Sequence, residues 1–188
     1  AKLCNPEKSS CLSTFNYLFP GTIELLEYLQ PNYQLHIITN GFKEVQHGKL
    51  NQSNIDHFFQ SVTNSEMVGV KKPNPKIFNH ALQMAKATKE ESLMIGDNLE
   101  ADIMGALNFG MEAICFNYHK ETLGADIIGV DHLVELKKLI ETFPNAGLYC
   151  NNYQIYYTKD VVRPANFNFN KDCLIVDDFF KASLTNSL

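Results

Sequence analysis

Gly96-Asp97-Asn98-Leu99-Glu100-Ala101-Asp102, preceded by the apolar run Leu93-Met94-Ile95, is the stretch from which the rest of the chain can be read. A short buried strand ends, the chain turns at a glycine, and two carboxylates follow five residues apart. Ile103 through Gly110 then reads as a helix closed by a glycine. In open α/β sheets, ligands bind outside the carboxyl ends of the strands. Two acids at such an end suit a hard, oxygen-seeking cation such as magnesium. The plainer alternative places Asp102 in solvent, in the first turn of a helix whose dipole it favours.

Two upstream segments bear on that choice. Leu35-His36-Ile37-Ile38-Thr39-Asn40-Gly41 is a second strand ending in a hydroxyl, an amide and a glycine. Val70-Lys71-Lys72-Pro73-Asn74-Pro75 holds a lysine in an extended, proline-bounded loop before a helix. Thr39 and the amides near Gly41 can donate to a phosphate, Lys72 can neutralise its charge, and Asp97 can hold the metal that bridges it. Taken singly, Thr39 is a strand-end turn residue and Lys72 a solvated lysine. The ordered set is harder to reach by chance.

Elsewhere the pattern alternates strands and helices, which predicts a parallel α/β sheet. Helices are expected at 21–29, 43–52, 74–87, 99–109 and 132–143, and strands at 34–39, 61–63, 92–95, 112–116 and 126–130. Asn74 is a natural cap and Pro75 suits the first helical position. Ile77, Phe78, Ala81, Leu82 and Ala85 then share one face. Asp131 is a candidate cap for the last helix, whose apolar face is Leu133, Leu136, Leu139, Ile140 and Phe143.

Composition narrows the function classes. At 188 residues with 45% hydrophobic content, the chain can bury a sizeable core. A net charge of −5 lacks the basic footprint of a general nucleic-acid binder. No run is long enough to span a bilayer, and no charged-then-apolar leader stands out, so no membrane partner is expected. The five cysteines, Cys4, Cys11, Cys115, Cys150 and Cys173, show no metal or redox spacing, and Cys115 reads as a core residue. A reducing, cytoplasmic setting is expected. The six histidines are dispersed and none reads as a ligand.

With these residues in place the chain resembles the haloacid dehalogenase (HAD) superfamily of phosphatases. Thr39-Asn40-Gly41 looks like the family's second motif, Lys72-Pro73 like its third, and Gly96-Asp97 through Asp102 like its fourth. Phe19-Pro20-Gly21-Thr22 and the run from Ser65 to Phe78 also fit. Ile38 through Phe42 and Gly69 through Pro73 are similar to the pyrimidine-nucleotidase-like branch. The resemblance covers roughly 15–143, about two thirds of the chain. It implies a Rossmann-like three-layer parallel sheet at 18–143, with 1–17 as a cap remnant and 144–188 as an unassigned tail, a candidate to complete the sheet.

The family's first motif, a strand followed by Asp-x-Asp-x-Thr that supplies nucleophile and general acid, is not found before Phe19. Most of the helical cap is also missing. The tail offers one substitute: Asp172-Cys173-Leu174-Ile175-Val176-Asp177-Asp178-Phe179-Phe180, an apolar run ending in carboxylates. A permuted chain would set this run in the vacant strand position and make Asp177 the nucleophile. The family's second acid would then fall at Phe179. The alternative is an ordinary strand with two exposed acids at its end. Leu148–Thr158 reads as a strand or hairpin, and Pro164 breaks any element there.

The activity this implies is magnesium-dependent hydrolysis of a small phosphomonoester, a nucleoside monophosphate being one candidate, through a phospho-aspartyl intermediate. Thr39, Asn40, Gly41 and Lys72 would bind phosphate, with Lys72 also catalytic as the charge stabiliser. Asp97 would ligate the metal and Asp102 would orient metal and lysine from behind. Asn98 is a further candidate for a metal-water contact. The competing readings are a truncated or degenerate non-catalytic module that binds phosphate or a partner, and half of a complex whose nucleophile comes from another chain; a partner chain or a homo-oligomer is the expected form of association.

Overall fold

The computed structural model describes residues 18–142 and three short strands farther along, at 156–157, 161–162 and 173–176. Helix α1 (Thr22–Leu29) leads into strand β1 (Gln34–Thr39), followed by α2 (Lys43–Gln52), β2 (Ser61–Asn64) and the single turn α3 (Ser65–Val68). Then come α4 (Pro75–Ala85), β3 (Ser92–Gly96), a wide π-helical turn at Leu99–Met104, α5 (Gly105–Phe109), β4 (Glu112–Phe116), β5 (Ile128–Val130) and α6 (Leu133–Thr142). Farther on lie β6 (Tyr156–Tyr157) and β7 (Val161–Val162), paired antiparallel, and β8 (Cys173–Val176).

Six strands form one parallel sheet in the order β2-β1-β8-β3-β4-β5. Strand β8 lies between β1 and β3, with Ile175 level with His36 on one side and Met94 on the other. The position between β1 and β3 is therefore held by the last strand among the described residues. A gap there would leave the facing N–H and C=O groups of β1 and β3 without ladder partners. Strand β8 ends at Val176, level with Ile37 and Ile95. Asp177, Phe179, Pro164 and the expected cap remnant at 1–17 lie outside the described residues.

Side chains on the two sheet faces build two cores, which makes the domain three-layered. On one face Leu35, Ile37, Leu93 and Ile95 pack with Leu25, Leu26 and Leu29 of α1 and Leu133 and Leu136 of α6. On the other, Ile38, Met94 and Cys115 pack with Ile77, Phe78 and Ala81 of α4 and Ala106 of α5. Every residue of β3 is buried, as expected for a parallel strand covered on both faces. Burial pushes the Cys115 thiol up to about 12, which fits a packing role.

Side-chain caps account for the starts of α3 and α4. Asn74 Oδ1 accepts from the Lys76 N–H at 3.0 Å, and Pro75 occupies the first helical position of α4. Asn64 caps α3 through the N–H groups of Glu66 and Met67. At α6 the structure corrects the expected cap. The Asp131 carboxylate meets Lys120 Nζ at 2.6 Å, and Glu135 Oε2 instead accepts from the backbone N–H groups of Asp131 and His132. No helix among the described residues is long and apolar enough to cross a membrane.

His36 is buried within β1, with Nδ1 2.7 Å from Ser61 Oγ. Burial lowers its pKa below the usual histidine value. The unfolded chain takes up this proton below about pH 6.5 while the folded chain resists it, so stability falls as pH drops through that range. Urea unfolding at pH 7.5 and 5.5 should show this loss, and His36→Leu should flatten the slope. An unchanged slope in the variant would assign the pH dependence to other groups.

Candidate active site

Three strand-end segments meet at the carboxyl edge of the sheet. The turn after β1, the loop before α4 and the turn after β3 enclose a crevice of about 230 Å³. Thr39, Asn40, Gly41, Lys72, Asp97, Asn98 and Asp102 all line it. These are the residues singled out in the sequence, apart from Asp177.

Lys72 is the electrostatic centre. It is buried, and its Nζ lies 2.7 Å from Asp102 Oδ1 and donates to the Ile38 carbonyl at 2.9 Å. Asp102 is equally buried, and its Oδ2 accepts from the Asn98 N–H at 3.1 Å. Both carboxylate oxygens are thus engaged by protein groups. This position contradicts the alternative of a solvent-facing Asp102. The π-helical turn carries it inward: the N–H groups of Asp102 and Ile103 both reach the Asn98 carbonyl, and Asn98 Oδ1 caps the turn through the Ala101 N–H. Gly96 makes room, since a Cβ there would lie 2.5 Å from the Asp102 Cβ.

Asn40 serves the lysine. Its Oδ1 accepts from the Lys72 N–H at 2.7 Å and its Nδ2 donates to the Lys72 carbonyl at 3.1 Å. The side-chain amide expected at phosphate is therefore closed onto the Lys72 backbone, across 32 residues of chain. Ser65 Oγ in turn donates to the Asn40 carbonyl at 3.1 Å. The Gly41 N–H, another expected phosphate donor, points to Thr39 Oγ1 at 3.0 Å.

Asp97 presents a partly exposed carboxylate to the crevice, with His119 Nε2 3.4 Å from its Oδ2. Two residues here escaped the sequence reading. One is His119. The other is Gln46, a buried residue of α2 whose Nε2 donates to Thr39 Oγ1 at 3.2 Å. Its spacing of four from Leu50, the other buried residue of α2, is the sequence signal that marks the inward face. No group of three His, Cys, Asp or Glu side chains among the described residues is placed to hold a metal. Magnesium asks for less: one or two carboxylates, with substrate oxygens and water completing its shell. Asp97, facing the crevice while Asp102 is held behind it, fits that demand.

The sequence profile of the haloacid dehalogenase-like hydrolases matches residues 7–116. The chain belongs to this family. Among its relatives is the glyceraldehyde 3-phosphate phosphatase of Pyrococcus abyssi, 44% identical over 128 residues, covering 66% of this chain and 54% of the relative. The pyrimidine 5'-nucleotidase YjjG of Escherichia coli is 40% identical over 101 residues, covering 53% of this chain and 45% of the relative. The magnesium-bound structure of the HAD-hydrolase YfnB from Bacillus subtilis superposes with a TM-score of 0.67 at 28% identity, over 72% of this chain and 60% of that one. The HAD chain thus spans about half the length of the curated relatives it matches.

Proposed function

We propose that this HAD chain is a magnesium-dependent phosphatase of small phosphomonoesters. The observation that carries the reading is the convergence of Thr39, Lys72 and Asp97 on one crevice at the carboxyl edge of the sheet. Such a crevice supplies a hydroxyl donor, a buried cation and a metal-binding carboxylate, the set a phosphoryl group requires. The names of the relatives point to small substrates, a triose phosphate in one and pyrimidine nucleotides in the other. A cytoplasmic setting belongs to the same proposal.

Asp177 is the proposed nucleophile. It follows Val176 directly, and β8 lies between the strand ending at Thr39 and the strand ending at Gly96. A carboxylate oxygen of Asp177 attacks phosphorus, and the ester P–O bond breaks as the alcohol departs with a proton from solvent. Water then attacks the same phosphorus, the acyl-phosphate bond breaks, and orthophosphate leaves. Two easier steps replace one hard one. Thr39 donates to a phosphoryl oxygen, and Lys72, held by Asn40 and Asp102, balances the phosphoryl charge. Asp97 is the residue that would hold magnesium, which when bound neutralises charge on the phosphoryl oxygens. Phe179 stands where the family's general acid belongs, so slow turnover is expected.

That phenylalanine favours a second reading, a module that binds phosphate or a partner chain without turnover. Hydrolysis of glyceraldehyde 3-phosphate, pyrimidine nucleoside monophosphates and a generic phosphomonoester, with and without magnesium, separates the two. Phosphate release only with magnesium supports the enzyme, and binding without release supports the module. Asp97→Ala should abolish magnesium binding at this site, measured by calorimetry, whereas Asp102→Asn should weaken it less. Undiminished magnesium affinity in Asp97→Ala would remove the role given to that residue.

A further inference from the structure

We infer that Gln46 is a positioning residue that turns the Thr39 hydroxyl into a dedicated donor toward the crevice. A threonine hydroxyl has one proton to give and two lone pairs that accept. In this structure the Gly41 N–H donates to Thr39 Oγ1 at 3.0 Å and Gln46 Nε2 donates to it at 3.2 Å. With both lone pairs occupied, what Thr39 has left to offer is its proton, and a crevice ligand that accepts it must carry lone pairs, as an anionic oxygen does. Without the Gln46 amide, the hydroxyl is free to rotate and spend its proton elsewhere.

Two further observations support a built arrangement. Gln46 is among the few buried polar residues of the domain, 5% exposed, on a helix whose other buried residue is Leu50. Burying an amide is costly unless it is hydrogen-bonded, so the contact with Thr39 has to offset that cost. Gly41 is shaped to the same contact. A Cβ there would lie 2.1 Å from Gln46 Nε2, so any side chain would push the amide off the hydroxyl. The glycine of Thr39-Asn40-Gly41 thus leaves open the space into which the Gln46 amide reaches.

The inference rests on the reading of the crevice as a phosphate site, and the test keeps the two apart. Orthophosphate affinity in the presence of magnesium is measured by calorimetry on the full chain and on Thr39→Val, Gln46→Met and Gln46→Glu, with thermal unfolding of each. Gln46→Met preserves the side-chain length and removes the donor. It should weaken orthophosphate about tenfold, the scale of one lost charge-assisted hydrogen bond, with little change in melting temperature. The carboxylate introduced by Gln46→Glu accepts where the amide donated, so it captures the Thr39 proton. Its affinity, relative to the parent chain at each pH, should recover as pH falls and the carboxyl group gains a proton to donate. A merely structural role would not produce that pH-dependent rescue. Parent binding that Thr39→Val weakens and Gln46→Met leaves intact would overturn the inference alone. A parent chain without orthophosphate affinity would overturn the phosphate-site reading and the inference with it.

Discussion

Lys72→Met is expected to lower the folding free energy by about 3–5 kcal/mol, because it leaves the Asp102 carboxylate buried without its cation. The two side chains are 2% and 1% exposed and 2.7 Å apart, so solvent does little to screen the loss. Lys71→Met, one residue earlier but exposed, should change stability by less than about 0.5 kcal/mol. The double variant Lys72→Met/Asp102→Leu should regain most of the stability, since replacing a buried pair with apolar groups of similar volume is often close to neutral. Urea unfolding of the four chains checks this. A double variant no more stable than Lys72→Met would show that the loss comes from packing and not from an orphaned charge. Where Lys72→Met remains folded, its orthophosphate affinity should fall far below that of Lys71→Met. Equal losses would mean that only bulk charge matters.

Much of this site was legible because its parts are local. Leu93 to Gly96 and Leu35 to Thr39 are apolar runs that end abruptly in small or polar residues, and parallel strands covered on both faces look like that. Asn74-Pro75 announces a helix start by chemistry that needs no tertiary partner. The contacts that escaped are those made across the fold. Asn40 reads as a ligand of phosphate, yet its amide spans to the backbone of Lys72, a partner no local pattern reveals. Gln46 sits on a helix that is polar almost all round, where its spacing of four from Leu50 is a faint mark of the inward face beside the stronger apolar stripes elsewhere. Asp131 has the composition of a cap, but Lys120 competes for its carboxylate and Glu135 takes over the amides. For β8, the apolar run Cys173–Val176 announces a strand, while its neighbours in the sheet are set by pairing with β1 and β3 far back in the chain.

The placement of β8 leads to the second large effect. Asp177→Asn should reduce any phosphatase turnover by about a thousandfold or more, the scale expected when a covalent nucleophile is removed. The substitution is nearly isosteric and should leave the unfolding transition of the chain close to that of the parent. Asp178→Asn, its neighbour, should retain turnover within a fewfold. Loss of activity in both variants alike would point to damage at the end of β8 and not to a specific nucleophile.

The most direct measurement is chemical trapping of the intermediate. Borohydride reduces an aspartyl phosphate to homoserine, and peptide mass spectrometry then locates the modified residue. The account predicts conversion at Asp177, dependent on both magnesium and a small phosphomonoester, and absent in Asp177→Asn. Turnover by the purified chain with no modification at Asp177, or turnover that survives Asp177→Asn, would contradict it.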